Sequence, residues 1–104
     1  MASKQFFLGL NWKMNPSSPA QVGKLIKEYQ EAINVTFPGE IVTFVPDIYL
    51  DQVRMEAQKN KVYIEVGAQD ISTELEAGAF TGQVSAHMLM SKQVPFVLIG
   101  HSEK

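Results

Sequence analysis

A chain of 104 residues has room for one compact domain. With 45% hydrophobic and 19% charged residues it carries enough apolar surface for a core, unlike a disordered chain. A formal net charge of -2 argues against indiscriminate binding to nucleic acid or anionic membrane, and the lack of any cysteine excludes a disulfide scaffold, a thiolate zinc site and a cysteine nucleophile.

The opening residues Met1–Gln5 lead into a segment interrupted by Gly9, Asn11 and Lys13, so no secretory signal is expected in this stretch. The first strand is expected at Phe6–Leu10 and runs into Asn11-Trp12-Lys13-Met14-Asn15. A helix follows. Ser18 is its N-cap, Pro19 its first residue, and Gln21 the partner in a capping box. Val22, Leu25, Ile26, Tyr29, Ala32 and Ile33 then recur at helical spacing as one inward stripe. Pro38-Gly39 stops it. The second strand is expected at Ile41–Val45, and a second helix from Ile48 to Asn60 with Leu50, Val53 and Ala57 inward. A third strand is expected at Val62–Val66. The long segment Gln69 to Gly82 contains Gly78 and Gly82, and long loops in compact domains are often functional. A third helix, Ser85 to Lys92, has Ala86, Leu89 and Met90 inward. The last strand is expected at Phe96–Ile99, the longest apolar run and far too short to cross a bilayer.

The order βαβαβαβ implies an α/β fold with a parallel sheet and right-handed crossovers. All downstream strand ends then lie on one side, where such proteins bind ligands. Asn11, Lys13, Gln69, His101 and Glu103 are brought together there. Taken singly each has a plainer reading. Lys13 is a solvated charge, and a histidine after a strand is a hydrogen-bonded structural residue. Ser102 beside His101 is no nucleophile signal, because neighbours in an extended chain point to opposite sides. His87 belongs to the third helix as a surface or packing residue. Two histidines without a paired motif make no metal site. Glycine-rich nucleotide-binding fingerprints are absent from the sequence. No helix follows the last strand, whose edge is left open, so the sequence reads as unfinished.

Asn11-Trp12-Lys13-Met14-Asn15, then Gly67-Ala68-Gln69-Asp70 with Gly78-Ala79-Phe80-Thr81-Gly82-Gln83-Val84-Ser85, then Ile99-Gly100-His101-Ser102-Glu103 occur in order across the chain. This set resembles the triosephosphate isomerases. The resemblance implies part of a (β/α)8 barrel, with residues 1–104 as one N-terminal half-barrel segment lacking the C-terminal half. It implies interconversion of dihydroxyacetone phosphate and glyceraldehyde 3-phosphate through an enediolate, with no cofactor and no metal. Lys13 and His101 are then the catalytic residues. Asn11 and Lys13 bind substrate, and Ser102 and Glu103 support them. Neutral His101 donates to the substrate oxygens and shuttles a proton. Thr81, Gly82 and Gln83 belong to a subunit-interface loop of a dimer of complete barrels. The family's base glutamate and phosphate-gripping glycines come from later loops, so the chain alone is expected to be inactive. It needs the C-terminal half as a second chain or further segment. Three positions depart from the family's habit: Asp70 for Asn, Gln83 for Glu and Lys104 for Arg. The last two replace an ion pair across the dimer interface. The competing reading is non-enzymatic: two copies pairing as half-barrels, or a module that binds a phosphorylated ligand without turnover. A cytoplasmic location is expected in each case.

Overall fold

A computed structural model describes residues 6–33 and 38–103. Four strands alternate with three helices: β1 (Phe6–Asn11), α1 (Pro19–Ala32), β2 (Gly39–Val45), α2 (Leu50–Lys59), β3 (Glu65–Ala68), α3 (Ala86–Ser91) and β4 (Phe96–Val97). A 3₁₀ turn, Asp47–Tyr49, leads into α2. The strands are all parallel, in the order β1-β2-β3-β4. Although β1 and β4 are the outer strands, the rings of Phe7 and Phe96 meet across the concave face, centroids 5.8 Å apart. The sheet is therefore curled into half of a barrel.

Two apolar layers hold it. On the convex face Val22 and Ile26 of α1 and Leu50, Val53 and Ala57 of α2 bury against Val45, Val66 and Ala68. On the concave face the Phe44 ring fills the space that side chains at Gly9 and Gly67 would take. A Cβ at Gly67 would meet Phe44 Cδ1 at 2.7 Å. β2 is buried from Ile41 to Val45, whereas Phe6, Phe7 and Leu8 of β1 are exposed.

The order of elements matches the expectation; β1, β2 and α2 end within two residues of the expected bounds, with the start of the second helix replaced by the 3₁₀ turn, and four larger differences stand out. The third strand lies at Glu65–Ala68, not Val62–Val66. Val62 instead closes the end of α2: its N–H bonds to Ala57 O at 2.8 Å, just after Lys61 takes a left-handed φ of 56°. Val62 is apolar because it packs under α2, and an apolar run alone does not separate such a connection from a strand. The fourth strand is only Phe96–Val97, since β3 offers Gly67 and Ala68 as partners. One further bond joins Leu98 N to Ala68 O, and Ile99 is exposed.

The third difference is the cap of α1. Ser18 has the extended backbone of an N-cap and Pro19 follows it, but the Ser18 side chain makes no capping hydrogen bond. Gln21 bonds Ser17 N and Oγ instead, so the capping box does not form. Ala32, about 90° from the centre of the α1 stripe at 100° per residue, is exposed. The fourth is α3, under two turns long, which turns Leu89 inward and leaves Met90 exposed. Among the described residues no helix is long and apolar enough to cross a membrane.

Candidate active site

The carboxyl ends of the strands carry a connected polar group. β1 passes its last residue, Asn11, and is prolonged by one bond from Trp12 N to Phe44 O, 2.9 Å. Trp12 then turns outward and is buried against α1. Lys13 follows with φ of 58°. A left-handed backbone is disfavoured for a residue with a Cβ by about 1–2 kcal/mol, so something must hold it. Its N–H donates to Asn11 Oδ1 at 2.8 Å. Its carbonyl accepts from Gln69 Nε2 at 2.7 Å. The Gln69 amide also reaches Phe44 O at 3.2 Å and Asn11 Oδ1 at 3.4 Å. One side chain after β3 thus ties the ends of β1 and β2 together. Asn15 closes the turn, donating to Trp12 O at 3.1 Å.

The chain after β4 comes to the same place. Gly100, with φ of 71°, turns the backbone into His101. Glu103 N donates to His101 Nδ1 at 3.1 Å. An Nδ1 that accepts cannot also carry a proton, so the imidazole is neutral in this geometry with its proton on Nε2. The 3.6 Å approach of Glu103 Oε1 to Nδ1 is therefore a close contact rather than an ion pair. The other carboxylate oxygen, Oε2, lies 3.1 Å from Lys13 Nζ. Lys13 and His101, far apart in sequence, stand on the two oxygens of one carboxylate. Ser102 is exposed on the same turn.

Of the residues singled out in the sequence, Asn11, Lys13, Gln69, His101 and Glu103 assemble here. Thr81, Gly82 and Gln83 do not join them. They form the exposed tip of a loop closed by Gln83 N to Phe80 O at 3.1 Å, with Gly82 supplying a φ of 83°. Ser72 bonds Val84 through its backbone and Gln83 through its hydroxyl, which stiffens the loop's base. Lys104 lies outside the described residues. His87 is exposed on α3. At the same end of the sheet burial raises the Asp47 carboxyl above its ordinary range, and the negative charge of Asp70 raises it further.

Gln69 is expected among the strand-end residues, but no spacing rule reveals that it clamps the Lys13 carbonyl. Tyr29 is expected only as a member of the apolar stripe of α1, yet its hydroxyl accepts from Trp12 Nε1 at 2.7 Å. A hollow of about 750 Å³ is bordered by Gly39, Glu40 and Glu65 at the opposite, amino ends of the strands. Ligands of parallel α/β folds bind at the carboxyl ends, so the hollow is not the place to seek chemistry.

The sequence profile of the triosephosphate isomerase family matches residues 6–104. The cytosolic triosephosphate isomerase of Oryza sativa subsp. japonica is 38% identical over 102 residues, covering 97% of this chain and 38% of that protein. A triosephosphate isomerase of Coxiella burnetii is 38% identical over 94 residues, covering 90% of this chain and 35% of its own length. That of Shewanella sp. is 36% identical over 109 residues, covering 100% and 41%. The chain thus spans about two fifths of the length of these relatives. With the match running from β1 through the turn that carries His101 and Glu103, the chain belongs to the triosephosphate isomerase family.

Proposed function

We propose that the chain supplies the Lys13 and His101 half of an active site that interconverts dihydroxyacetone phosphate and glyceraldehyde 3-phosphate. The observation that carries this is Glu103, whose carboxylate meets Lys13 Nζ at 3.1 Å and whose backbone N–H donates to His101 Nδ1 at 3.1 Å, an arrangement in which a neutral imidazole keeps Nε2–H as its donor. In this reading a carboxylate base takes a proton from carbon, and the released electron pair spreads into an enediolate. Lys13 offers a cation to the substrate phosphate and to that developing charge. His101 Nε2–H donates to the enediolate oxygens and moves a proton between them. The base returns its proton to the adjacent carbon. Asn11 orients Lys13 through its backbone, and Ser102 and Glu103 support the His101 turn.

Glu103 is engaged with Lys13 and is poorly placed to serve as the base. That group and the phosphate-gripping loops come from four further βα units, on a second chain or segment, that close the barrel against β1 and β4. The isolated 104 residues are then inactive. The exposed loop carrying Thr81, Gly82 and Gln83 serves a dimer of complete barrels, in the cytoplasm.

The test is the native mass of the assembly with isomerase activity assayed on the same fraction. An active complex containing a polypeptide besides this 11.6 kDa chain supports the reading. An inactive species of one or two copies that still binds phosphate refutes it in favour of a non-enzymatic half-barrel.

A further inference from the structure

The hydrogen bonds from Asn11 and Gln69 fix the peptide groups of Lys13, but neither sets the direction in which the chain arrives. That is decided at Trp12. Its N–H is the last to bond β2, through Phe44 O, and its carbonyl is held by Asn15 Nδ2. Its indole is buried on the convex face, edge-on to the Tyr29 ring with centroids 6.2 Å apart and planes at 82°. The buried indole N–H needs an acceptor, and Tyr29 Oη provides it at 2.7 Å. Tyr29 stands on α1, one turn beyond Ile26, which with Val22 is wholly buried. The hydroxyl thus links a firmly seated helix to the residue preceding the left-handed Lys13.

We propose that Tyr29 is a positioning residue that acts through Trp12 to hold Lys13 in the conformation that faces Glu103. Without the hydroxyl the indole N–H must turn to find water, Trp12 changes rotamer, and Lys13 loses what keeps it out of the commoner backbone wells. The proposal deepens the isomerase reading, since it rests on Lys13 being a catalytic residue.

The chain has a single tryptophan, so carbonyl-13C tryptophan with 15N lysine yields one Trp12–Lys13 signal even in a large assembly. That signal is recorded for the natively assembled chain, for Tyr29→Phe and for Leu25→Ala. Leu25 is half-buried on the same helix and makes no such bond, so its truncation reports stability loss alone. Tyr29→Phe is expected to move the Lys13 amide and speed its exchange with solvent about ten-fold, while Leu25→Ala leaves both in place. An unmoved Lys13 amide in Tyr29→Phe, or an equal response to Leu25→Ala, overturns the proposal. Should Tyr29→Phe fail to fold, the unmodified chain decides. The indole and Lys13 protons must then exchange through a shared opening, with equal dependence on mild denaturant, and different slopes overturn the link. In an active assembly Tyr29→Phe also lowers kcat/KM about ten-fold or more, because small misplacements of a catalytic group are costly. If the unmodified assembly shows no isomerase activity, the isomerase reading fails, and the Lys13 amide still decides the role of Tyr29.

Discussion

Lys13 is held where its backbone is least content. A φ of 58° suits glycine and opposes a lysine side chain. Lys13→Gly should therefore stabilise the chain by about 1 kcal/mol in urea unfolding, by relief of strain. It should also abolish isomerase activity in the completed assembly. The lost ion pair subtracts little, because Lys13 and Glu103 are 56% and 55% exposed and such pairs contribute about 0–1 kcal/mol. A loss of stability would show that the turn is not strained. None of this is legible in the sequence, where a lysine after a strand carries no sign of its backbone angle. The second residue-scale case is Asp47. Burial, then the charge of Asp70, raises its carboxyl above the unfolded value. A raised carboxyl binds its proton more tightly when folded. Stability therefore falls as pH rises from the ordinary aspartate range, about 3.9, through the folded value. Asp70→Asn removes the second cause. It should shift the Asp47 titration downward by NMR and flatten that fall, and an unchanged titration would exclude Asp70 as a cause.

At the scale of elements, Phe44 organises the sheet. Its ring lies against Gly9 and Gly67 on either side, and its carbonyl receives Trp12 N and Gln69 Nε2. Gly67→Ala would set a Cβ 2.7 Å from Phe44 Cδ1 and 3.1 Å from Phe96 Cβ. Since Phe44 is buried between two strands it cannot step aside. The substitution should destabilise by about 1–3 kcal/mol and disturb the Lys13 turn through the Phe44 carbonyl. Gly78→Ala faces an equally close ring atom, Phe80 Cε2 at 2.8 Å, but on an exposed loop whose ring is free to swing. It should change stability by less than about 0.5 kcal/mol. Equal effects in thermal unfolding would deny Phe44 this role. The elements themselves were largely readable, because Val22 and Ile26 of α1 and Leu50, Val53 and Ala57 of α2 keep helical spacing over several turns. The third strand lies later than the apolar run suggests because Val62 is apolar for the sake of α2, whereas Gly67, which does pair, is small to admit Phe44. The convergence of Asn11, Lys13, Gln69, His101 and Glu103 followed from parallel topology alone. Their hydrogen bonds depend on rotamers that no spacing encodes.

At the scale of the molecule the half-barrel has an uneven interior. β2 and β3 each have neighbours on both sides, while β1 pairs only with β2 and β4 only with β3 among the described residues. Phe6, Phe7 and Leu8 of β1 are 57%, 57% and 42% exposed, an apolar surface that soluble proteins rarely leave open beside a free edge. Local opening follows packing, so backbone amides in the chain studied alone should exchange slowest at Val42–Val45 and Val66–Ala68 and fastest in β1 and β4. In the proposed isomerase assembly, four further βα units would supply strand partners to both edges. Protection in β1 and β4 should then rise by about ten-fold or more, with β2 changing far less, and binding of a hydrophobic dye should fall. The pattern separates the two ways of covering the interior. If β1 in the 104-residue chain is already as protected as β2, and protection drops on dilution, a second copy closes the sheet, and the isomerase reading loses the open edges on which its completion depends.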